Sequence, residues 1–271
     1  MTKLLYLEDF NPAVDPDGGV NLLNPTHNFD AQSAKAIIKV MCGMNFEARV
    51  LDVVEENGRS VVVLDQTAFY PQGGGQPYDK GFIESPSGKF LVEEVRFVDG
   101  VVKHIGKFEN GSFAKEEVVK GEIDKERREL HSRLHSAGHV VDMAVTELNL
   151  NWIPGKGYHF PEGPYVEYAG NLEGLDKEKL KTDIENLCNK FVREGRETKL
   201  VFMLKEEMHK VVRHVPEYIP EGKPARVVMY GDFGVPCGGT HVSNTSEIKS
   251  ITIRKIKAEG PNVRVGYDVV R

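Results

Sequence analysis

FEARVLDVVEENGRSVVVLD, residues 46 to 65, is the stretch of sequence that decides the fold. Its two halves, Phe46–Val54 and Arg59–Asp65, run apolar or alternate between apolar and polar residues, and the turn-forming Asn57 and Gly58 separate them. Short β-strands have this pattern. Similar runs, with glycine-containing turns between them, follow at Gly81–Glu84, Phe90–Val98 and Val101–Ile105. Several short strands within about 75 residues predict a small β-barrel.

The hydrophobic period changes after the barrel segment. From Asp124 to Leu148 the apolar residues recur at the spacing of one helical face: Leu130, Leu134, Ala137, Val141, Ala144, Val145 and Leu148. A second helix is predicted from Asp176, a good N-cap, to Gly195, a good stop. Strand-like runs return at Lys199–Leu204, Arg226–Tyr230, Ile251–Lys257 and Val263–Val269. Helices mixed with strands, without a βαβ rhythm, favour an α+β domain.

These patterns divide the chain into three predicted parts. Residues 1–45 form an N-terminal segment, residues 46–123 a small β-barrel domain, and residues 124–271 an α+β domain on which the barrel packs. The predicted fold class is therefore α+β.

Composition limits the function only weakly. The net charge of −6 argues slightly against a nucleic-acid partner, but from Lys249 onward basic residues exceed acidic ones, as on a phosphate-binding surface or a solvated strand face. The three cysteines are too few and too scattered for a disulfide framework. Neither a secretory signal nor a membrane span is predicted. We therefore expect a cytoplasmic protein without a membrane partner, and the oligomeric state stays open.

The first chemical motif is His135-Ser-Ala-Gly-His139. Residues four apart on a helix lie one turn above each other, so both imidazoles can reach one point. Two histidines at this spacing can equally be surface residues or satisfied core residues. His131 extends the row and is interpreted as an exposed or neighbouring residue, and His159, His209 and His214, which lack paired spacing, as ordinary ones.

The second motif is Cys237-Gly-Gly-Thr-His241. Two glycines let the backbone fold tightly, so a thiolate and an imidazole can converge from one loop, although a plain glycine-rich turn has the same letters. With the helical pair it supplies three imidazoles and one thiolate, a ligand set that suits tetrahedral zinc. The sequence thus predicts that His135, His139, Cys237 and His241 bind Zn²⁺.

Familiar zinc hydrolases do not fit. A metalloprotease helix carries glutamate beside one of its histidines, where Ser136 and Gly138 stand here. A nucleobase deaminase needs a second cysteine three residues after the first, and Thr240 occupies that position.

The motifs resemble those of a known family. The helical His-x-x-x-His, followed by CGGTHV at residues 237–242, is similar to the editing domain of alanyl-tRNA synthetase and its free-standing relatives, the AlaX proteins. DQTAFYPQGGGQPYD, residues 65–79, resembles the barrel motif of that family almost residue for residue. The resemblance extends from about Phe46 to Arg271, and three motifs in the right order make it specific.

The resemblance implies roles for individual residues. His135, His139, Cys237 and His241 match the metal ligands, and Gly74 and Gly75 match the glycine motif of the substrate site. Thr67 and Gln76 are assigned catalytic roles: Thr67 matches a threonine that helps to recognise the serine hydroxyl, and Gln76 matches a polar residue of the same pocket. From the residues alone, Thr67 also fits a strand, the glycines a bulge, and Gln76 a cap on backbone groups.

One departure from the family concerns the N-terminus. In the family, an element like Leu5–Asp9 usually leads quickly into the strand that begins here at Phe46, so residues 10–45 are interpreted as an insertion, in which 34–41 could form a short helix.

The resemblance implies a free-standing, zinc-dependent trans-editing hydrolase that removes serine, and also glycine, from mischarged alanine tRNA. A complete synthetase is not expected, because 271 residues leave no room for an aminoacylation domain. Two alternatives stay open: a threonyl-tRNA-type editing hydrolase, which shares the histidine and cysteine motifs, and a non-catalytic, zinc-stabilised RNA-binding module.

Overall fold

A computed structural model describes residues 43–270, together with the strand residues 20–21 and 37–38. These residues divide into two compact units, each described by itself below. The barrel unit contains residues 43–73 and 77–128, and the α+β unit contains residues 74–76 and 129–270. The predicted fold class, α+β with a small β-barrel, is confirmed, whereas the predicted domain limits stay predictions. Within the part of the chain described, no helix has the length and apolar character needed to cross a membrane.

The barrel unit is built almost entirely from strands. They are β1 (Val20–Asn21), β2 (Ile37–Ile38), β3 (Asn45–Glu56), β4 (Arg59–Leu64), β5 (Gln66–Thr67), β6 (Gly81–Ser85), β7 (Gly88–Val98), β8 (Val101–Gly111) and β9 (Val118–Ile123). Six antiparallel strands close in the order β3-β4-β8-β7-β6-β9. The 12-residue β3 pairs with both β4 and β9, and its register shifts between Val50 and Asp52. Such irregularities bend a strand and help to close a sheet.

The N-terminal predictions fall mostly outside the described residues. Of the proposed insertion at 10–45, the structure describes residues 20–21, 37–38 and 43–45; β1 and β2 pair antiparallel with each other, and β3 begins at Asn45. A helix over 34–41 is wrong at Ile37 and Ile38, which pair in parallel with β5.

A buried ion pair anchors the segment that follows β5. Arg128, in the first turn of α1 (Lys125–Glu147), donates from Nε to both carboxylate oxygens of Asp79 at 3.0 Å. Arg128 also donates to the Ala68 carbonyl at 2.6 Å, and the Tyr70 amide donates to Asp79 at 2.6 Å. The two charges therefore satisfy each other and two backbone groups just after β5, as a buried pair requires.

The α+β unit combines most of α1 with the remaining elements. They are β10 (Ile153–Tyr158), β11 (Tyr165–Ala169), α2 (Lys177–Glu194), β12 (Thr198–Leu204), α3 (Lys205–Met208), β13 (Pro224–Tyr230), β14 (Phe233–Pro236), a 3₁₀ helix (Thr245–Ile248), β15 (Ile251–Glu259) and β16 (Asn262–Val269). The strands form two antiparallel sheets, ordered β10-β11-β16-β15 and β12-β13-β14. One continuous apolar core includes Val141 of α1, Ile184 of α2 and Ile253 of β15.

The limits of α2 follow the predicted caps. The Asp176 side chain accepts hydrogen bonds from the amides of Glu178 and Lys179, and Gly195 adopts a left-handed φ of 66°.

The sequence patterns did not predict the strands β9, β10, β11 and β14. β10, whose sequence is IPGKGY, carries glycine and proline in place of an alternating pattern, so pairing with β11 defines it as a strand.

Breaking the buried ion pair should destabilise the protein. Asp79→Asn keeps the shape of the side chain but leaves the Arg128 charge buried without its counterion, which costs about 3–5 kcal/mol of unfolding free energy. Urea unfolding followed by circular dichroism measures the loss. The matched control is Asp183→Asn, which removes the exposed pair with Lys179 and should leave the unfolding curve unchanged. Equal curves for the two variants would contradict the prediction.

Candidate metal centre

Two distant segments of the α+β unit bring the four predicted ligands together. His135 and His139 lie one turn apart on α1, and Cys237 and His241 lie on the loop that follows β14. One potential ligand atom from each residue lies within 4.8 Å of all the others, and all four residues are buried. This cluster could hold a metal ion such as zinc.

His135 is oriented by Gln76. One end of the Gln76 side-chain amide lies 3.0 Å from the backbone amide of Thr240. Since an N–H only donates, this end must be the oxygen. The same oxygen lies 2.8 Å from His135 Nδ1, so Nδ1 carries the proton and donates it. His135 Nε2 is thereby left with its lone pair, 3.3 Å from the Cys237 sulfur.

The other two histidines are held in the same way through Nδ1. His139 Nδ1 lies 3.2 Å from the Asp142 carboxylate, which also accepts from the Tyr168 hydroxyl at 2.6 Å. His241 Nδ1 lies 3.0 Å from the Tyr230 hydroxyl and 3.3 Å from Ser136 Oγ. Partners of this kind fix the ring orientation of metal-binding histidines, and a carboxylate, which only accepts, also fixes the tautomer.

Two buried nitrogen atoms provide the test of whether a metal fits. Nε2 of His139 and Nε2 of His241 have no hydrogen-bond partner within the described residues. A buried polar atom without a partner costs about 1–3 kcal/mol. A metal ion within reach of both atoms, the His135 Nε2 lone pair and the thiolate would remove that cost, so the residues fit zinc.

The protonation states also suit a metal site. Burial, with the neighbouring histidines, lowers the pKa of His135 and His241 well below the ordinary value, so both imidazoles are neutral. Burial raises the pKa of Cys237, but His139 and Arg226 outweigh it and lower that pKa overall. Burial lowers the pKa of His139, yet the acidic side chains of Asp142 and Cys237 beside it raise that pKa to about 9. A bound metal would displace that proton, as metal binding to histidine normally does.

Arg226 shapes the loop that carries Cys237. Its guanidinium donates to the carbonyls of Cys237 at 2.7 Å and Gly239 at 2.9 Å, and it is buried. The Gly239 amide in turn lies 3.4 Å from the Cys237 sulfur. A buried cation and an amide directed at the sulfur both favour the thiolate.

Glycine is needed where the backbone approaches a histidine ring. A Cβ on Gly239 would lie 2.1 Å from His135 Cε1 and 2.3 Å from His135 Nδ1. A Cβ on Gly138 of α1 would lie 2.5 Å from His159 Cε1. Both distances are far inside van der Waals contact, so only glycine fits at these two positions.

Of the four remaining predicted site residues, Gly74, Gly75 and Gln76 belong to the α+β unit. Gly75 has a φ of +77°, and a Cβ there would lie 2.2 Å from the Gly157 carbonyl oxygen. The Gly75 carbonyl accepts from the His159 amide at 2.8 Å. Gly74 also has a positive φ, of 55°. These contacts give both glycines a conformational reason, and their predicted part in substrate binding stays a prediction.

Gln76 is fully buried, and both the oxygen and the nitrogen of its amide are hydrogen-bonded. Its oxygen accepts from His135 and Thr240, and its nitrogen donates to Thr240 Oγ1 at 2.8 Å. Ser132 of α1 lies 2.7 Å from the same Thr240 hydroxyl. Gln76 therefore ties the helix to the CGGTH loop and holds His135, while its predicted catalytic role stays a prediction.

Thr67, the fourth of these residues, lies in the barrel unit at the end of β5 and is buried. Its hydroxyl lies 2.8 Å from His104 Nε2.

His159 is a neighbour that the sequence prediction missed by treating it as ordinary. Its ring stacks on that of His135, with centroids 4.3 Å apart, and its Nδ1 lies 2.6 Å from the Tyr267 hydroxyl. Burial lowers the pKa of His159 to about 3. No local spacing marks this residue, because the contact depends on the long-range placement of β10. Asp142 was also missed, although its position three residues after His139 would have indicated it.

Removing the Gln76 amide should weaken metal binding. Gln76→Ala leaves His135 Nδ1 and the Thr240 amide without their acceptor, and loss of such a partner typically reduces metal affinity about 10–100-fold. Competition with a chromophoric zinc chelator measures the affinity. Gln66→Ala is the matched control, since Gln66 donates to the Glu47 carbonyl in the barrel unit, and its affinity should stay unchanged. An unaltered affinity in Gln76→Ala would show that Gln76 does not support the ligand.

Adding a methyl group at Gly239 should have a similar effect for a steric reason. Gly239→Ala forces the loop or the His135 ring to move, so zinc affinity should fall on the order of tenfold or more. In the control Gly163→Ala the new Cβ meets only Arg254 Nη2 at 3.8 Å, an ordinary contact. The same chelator competition applies, and equal affinities for the two alanine variants would contradict the prediction.

Comparison with known protein families gives two matches. The model described as tRNA synthetases class II (A) matches residues 19–127, which include every strand of the closed barrel. The model described as the threonyl and alanyl tRNA synthetase second additional domain matches residues 225–264, which include Cys237 and His241.

Similar proteins include several archaeal alanine–tRNA ligases. Those of Halobacterium salinarum and Methanothrix thermoacetophila are both 34% identical, over 236 and 210 residues respectively. That of Thermococcus kodakarensis is 36% identical over 218 residues. The matches cover 77–78% of this chain but only 22–23% of each ligase, so the chain spans about a quarter of the length of these relatives. With the barrel and the histidine–cysteine cluster, they show that the chain is an AlaX-like editing domain related to alanyl-tRNA synthetase.

Proposed function

We propose that this chain is a zinc-dependent deacylase that removes serine, and also glycine, from mischarged alanine tRNA supplied by a separate synthetase. The observation that carries the proposal is the buried cluster of three imidazoles and one thiolate, in which two Nε2 atoms lack a partner. The relatives named as alanine–tRNA ligases support alanine tRNA as the substrate.

The chemistry of alanine selection explains why such an activity is needed. A pocket shaped for alanine cannot firmly exclude glycine, which is smaller by one methyl group, or serine, which adds only a hydroxyl. A single methylene is worth about 1–3 kcal/mol of discrimination. A second, hydrolytic site that accepts serine and rejects alanine restores accuracy.

His135, His139, Cys237 and His241 would hold the zinc ion. Bound zinc supplies Lewis acidity, which polarises a carbonyl group or lowers the pKa of water. Gln76, Asp142 and Tyr230 keep the three rings turned so that Nε2 is available. The ester on the terminal ribose is already activated, so modest catalysis is sufficient.

His241 is the ligand that we propose gives way to substrate. A catalytic zinc keeps one position open, whereas four protein ligands close the site. The Nδ1 partner of His139 is a carboxylate, and His135 Nδ1 contacts the amide oxygen of Gln76; His241 has only the hydroxyls of Tyr230 and Ser136. Hydrogen bonds to neutral hydroxyls are weaker than charge-assisted ones, so His241 is held less firmly than His139.

Thr67 is proposed to recognise the substrate side chain, and Gly74 and Gly75 are proposed to bind substrate. A serine hydroxyl would form a hydrogen bond with Thr67 that alanine cannot form, a difference of about 0.5–1.5 kcal/mol. Gln76 contributes by fixing His135.

Two alternatives predict different results. A threonyl-tRNA-type hydrolase shares the histidine and cysteine motifs, and the matched additional domain is described for both threonyl and alanyl tRNA synthetases. The Gly73-Gly74-Gly75-Gln76 motif and the alanine–tRNA ligase relatives favour the alanine system. In a non-catalytic RNA-binding module all four ligands would be purely structural.

Deacylation by the isolated chain tests the proposal. Alanine tRNA charged with serine, glycine or alanine, and threonine tRNA charged with serine, are incubated with the zinc-loaded protein. We expect release of serine and glycine from alanine tRNA only. A chelator should slow release on the order of a hundredfold or more, because a metal Lewis acid supplies several kcal/mol. Faster release from threonine tRNA would support the first alternative.

A cysteine pair supplies the control. Cys237→Ala removes a proposed ligand, so activity and zinc binding should fall while the far-ultraviolet circular dichroism spectrum is kept. Cys188→Ala removes the other described cysteine, a buried core residue whose pKa is raised by burial, and should keep both properties. A Cys237→Ala protein that unfolds, together with a wild-type chain that binds tRNA without cleaving the ester, would favour the structural module.

A further inference from the structure

The hydroxyl of Thr67 has a defined orientation inside the barrel unit. Its oxygen lies 2.8 Å from Nε2 of His104 on β8 and accepts from the Phe69 amide at 3.1 Å. The other ring nitrogen of His104, Nδ1, lies 2.9 Å from the Val62 carbonyl oxygen on the neighbouring β4. Thr67, Phe69, Val62 and His104 are all buried.

The Val62 carbonyl decides which nitrogen of His104 carries the proton. A carbonyl oxygen only accepts, so Nδ1 must be the N–H that donates to it. Burial lowers the pKa of His104 to about 4, so the ring is neutral at pH 7 and has a single N–H. His104 Nε2 is therefore an acceptor, and the Thr67 hydroxyl is the donor of the 2.8 Å hydrogen bond.

As a consequence, the Thr67 hydroxyl can form only one further hydrogen bond. A threonine hydroxyl has one proton and two lone pairs. The Thr67 hydroxyl donates its proton in a hydrogen bond to His104, and one of its lone pairs accepts from the Phe69 amide. What remains for a ligand is a single lone pair, which can accept a hydrogen bond but cannot donate one.

We propose that His104 is a specificity-determining positioning residue. It accepts the hydrogen bond that the Thr67 hydroxyl donates, and the site therefore selects small side chains that donate a hydrogen bond to Thr67. Serine is such a side chain. Glycine and alanine have no donor, and 3-fluoroalanine, close to serine in size, has none either. His104 contacts no substrate and acts through Thr67. Its proposed role rests on the proposed function, because substrate selectivity can be measured only if the chain cleaves aminoacyl esters.

Selectivity measurements test the role of His104. The wild-type chain should cleave serine esters of alanine tRNA faster than glycine or 3-fluoroalanine esters. His104→Phe removes the acceptor and should lower the serine-to-glycine rate ratio about fivefold, the worth of one oriented hydrogen bond. His104→Gln keeps one donor and one acceptor on the side chain and should restore much of the ratio. A parallel loss of serine and glycine cleavage in His104→Phe would instead show a merely structural effect.

A double-mutant comparison shows whether His104 acts through Thr67. Thr67→Val removes the hydroxyl at nearly constant shape and should lower the same rate ratio. If His104 acts only by orienting that hydroxyl, adding His104→Phe to Thr67→Val should cause no further loss. Additive losses would overturn the proposal.

Nitrogen-15 NMR of the histidine rings gives a result that does not depend on activity. The wild-type chain should show His104 as the neutral tautomer with the proton on Nδ1, assigned by the signal that disappears in His104→Gln. A proton on Nε2 would overturn the proposal even in an active enzyme. If no ester is cleaved, the proposed function fails. The observed tautomer still decides whether the Thr67 hydroxyl donates a hydrogen bond to His104 or accepts one from it.

Discussion

Hydrogen bonds to the Nδ1 atoms of three histidines organise the centre of the α+β unit. Gln76, Asp142 and the Tyr230–Ser136 pair each hold one ring by the nitrogen that points away from the cluster. This leaves Nε2 of each ring without a competing partner from that side, and one potential ligand atom of each of the four residues lies within 4.8 Å of the others. Without these partners the imidazoles could rotate, and the arrangement of the four ligands would be lost.

The packing around the cluster serves the same requirement. Gly239 lets the CGGTH loop lie against the His135 ring, and Gly138 leaves room for His159, which stacks on the same ring. Arg226 binds two carbonyls within the loop. The buried cation favours the Cys237 thiolate, while burial keeps His135 and His241 neutral. These are the forms of the side chains that bind zinc, so electrostatics and geometry agree.

The barrel unit uses a related device for a different purpose. In the α+β unit, an amide oxygen that accepts from Nδ1 leaves His135 Nε2 with its lone pair; in the barrel, the Val62 carbonyl does the same for His104. The lone pair on His104 Nε2 then accepts a hydrogen bond from the Thr67 hydroxyl. In both arrangements the proton of the imidazole is fixed on Nδ1, so Nε2 can only accept a hydrogen bond or bind a metal. A selective site requires such a defined arrangement of donors and acceptors.

Local sequence patterns determined most of the elements and the chemistry of the ligands. The alternating runs from Phe46 onward, the caps at Asp176 and Gly195, and the four-residue spacing of His135 and His139 depend on neighbours along the chain, and the structure has all of them. Only the tertiary structure decided that Gln76 contacts His135, that His159 stacks on the same ring, and that His104 binds Thr67. These contacts join residues between 24 and 59 positions apart or depend on strand pairing. A hydrogen bond requires a placement accurate to a few tenths of an ångström, and no spacing along the chain encodes it.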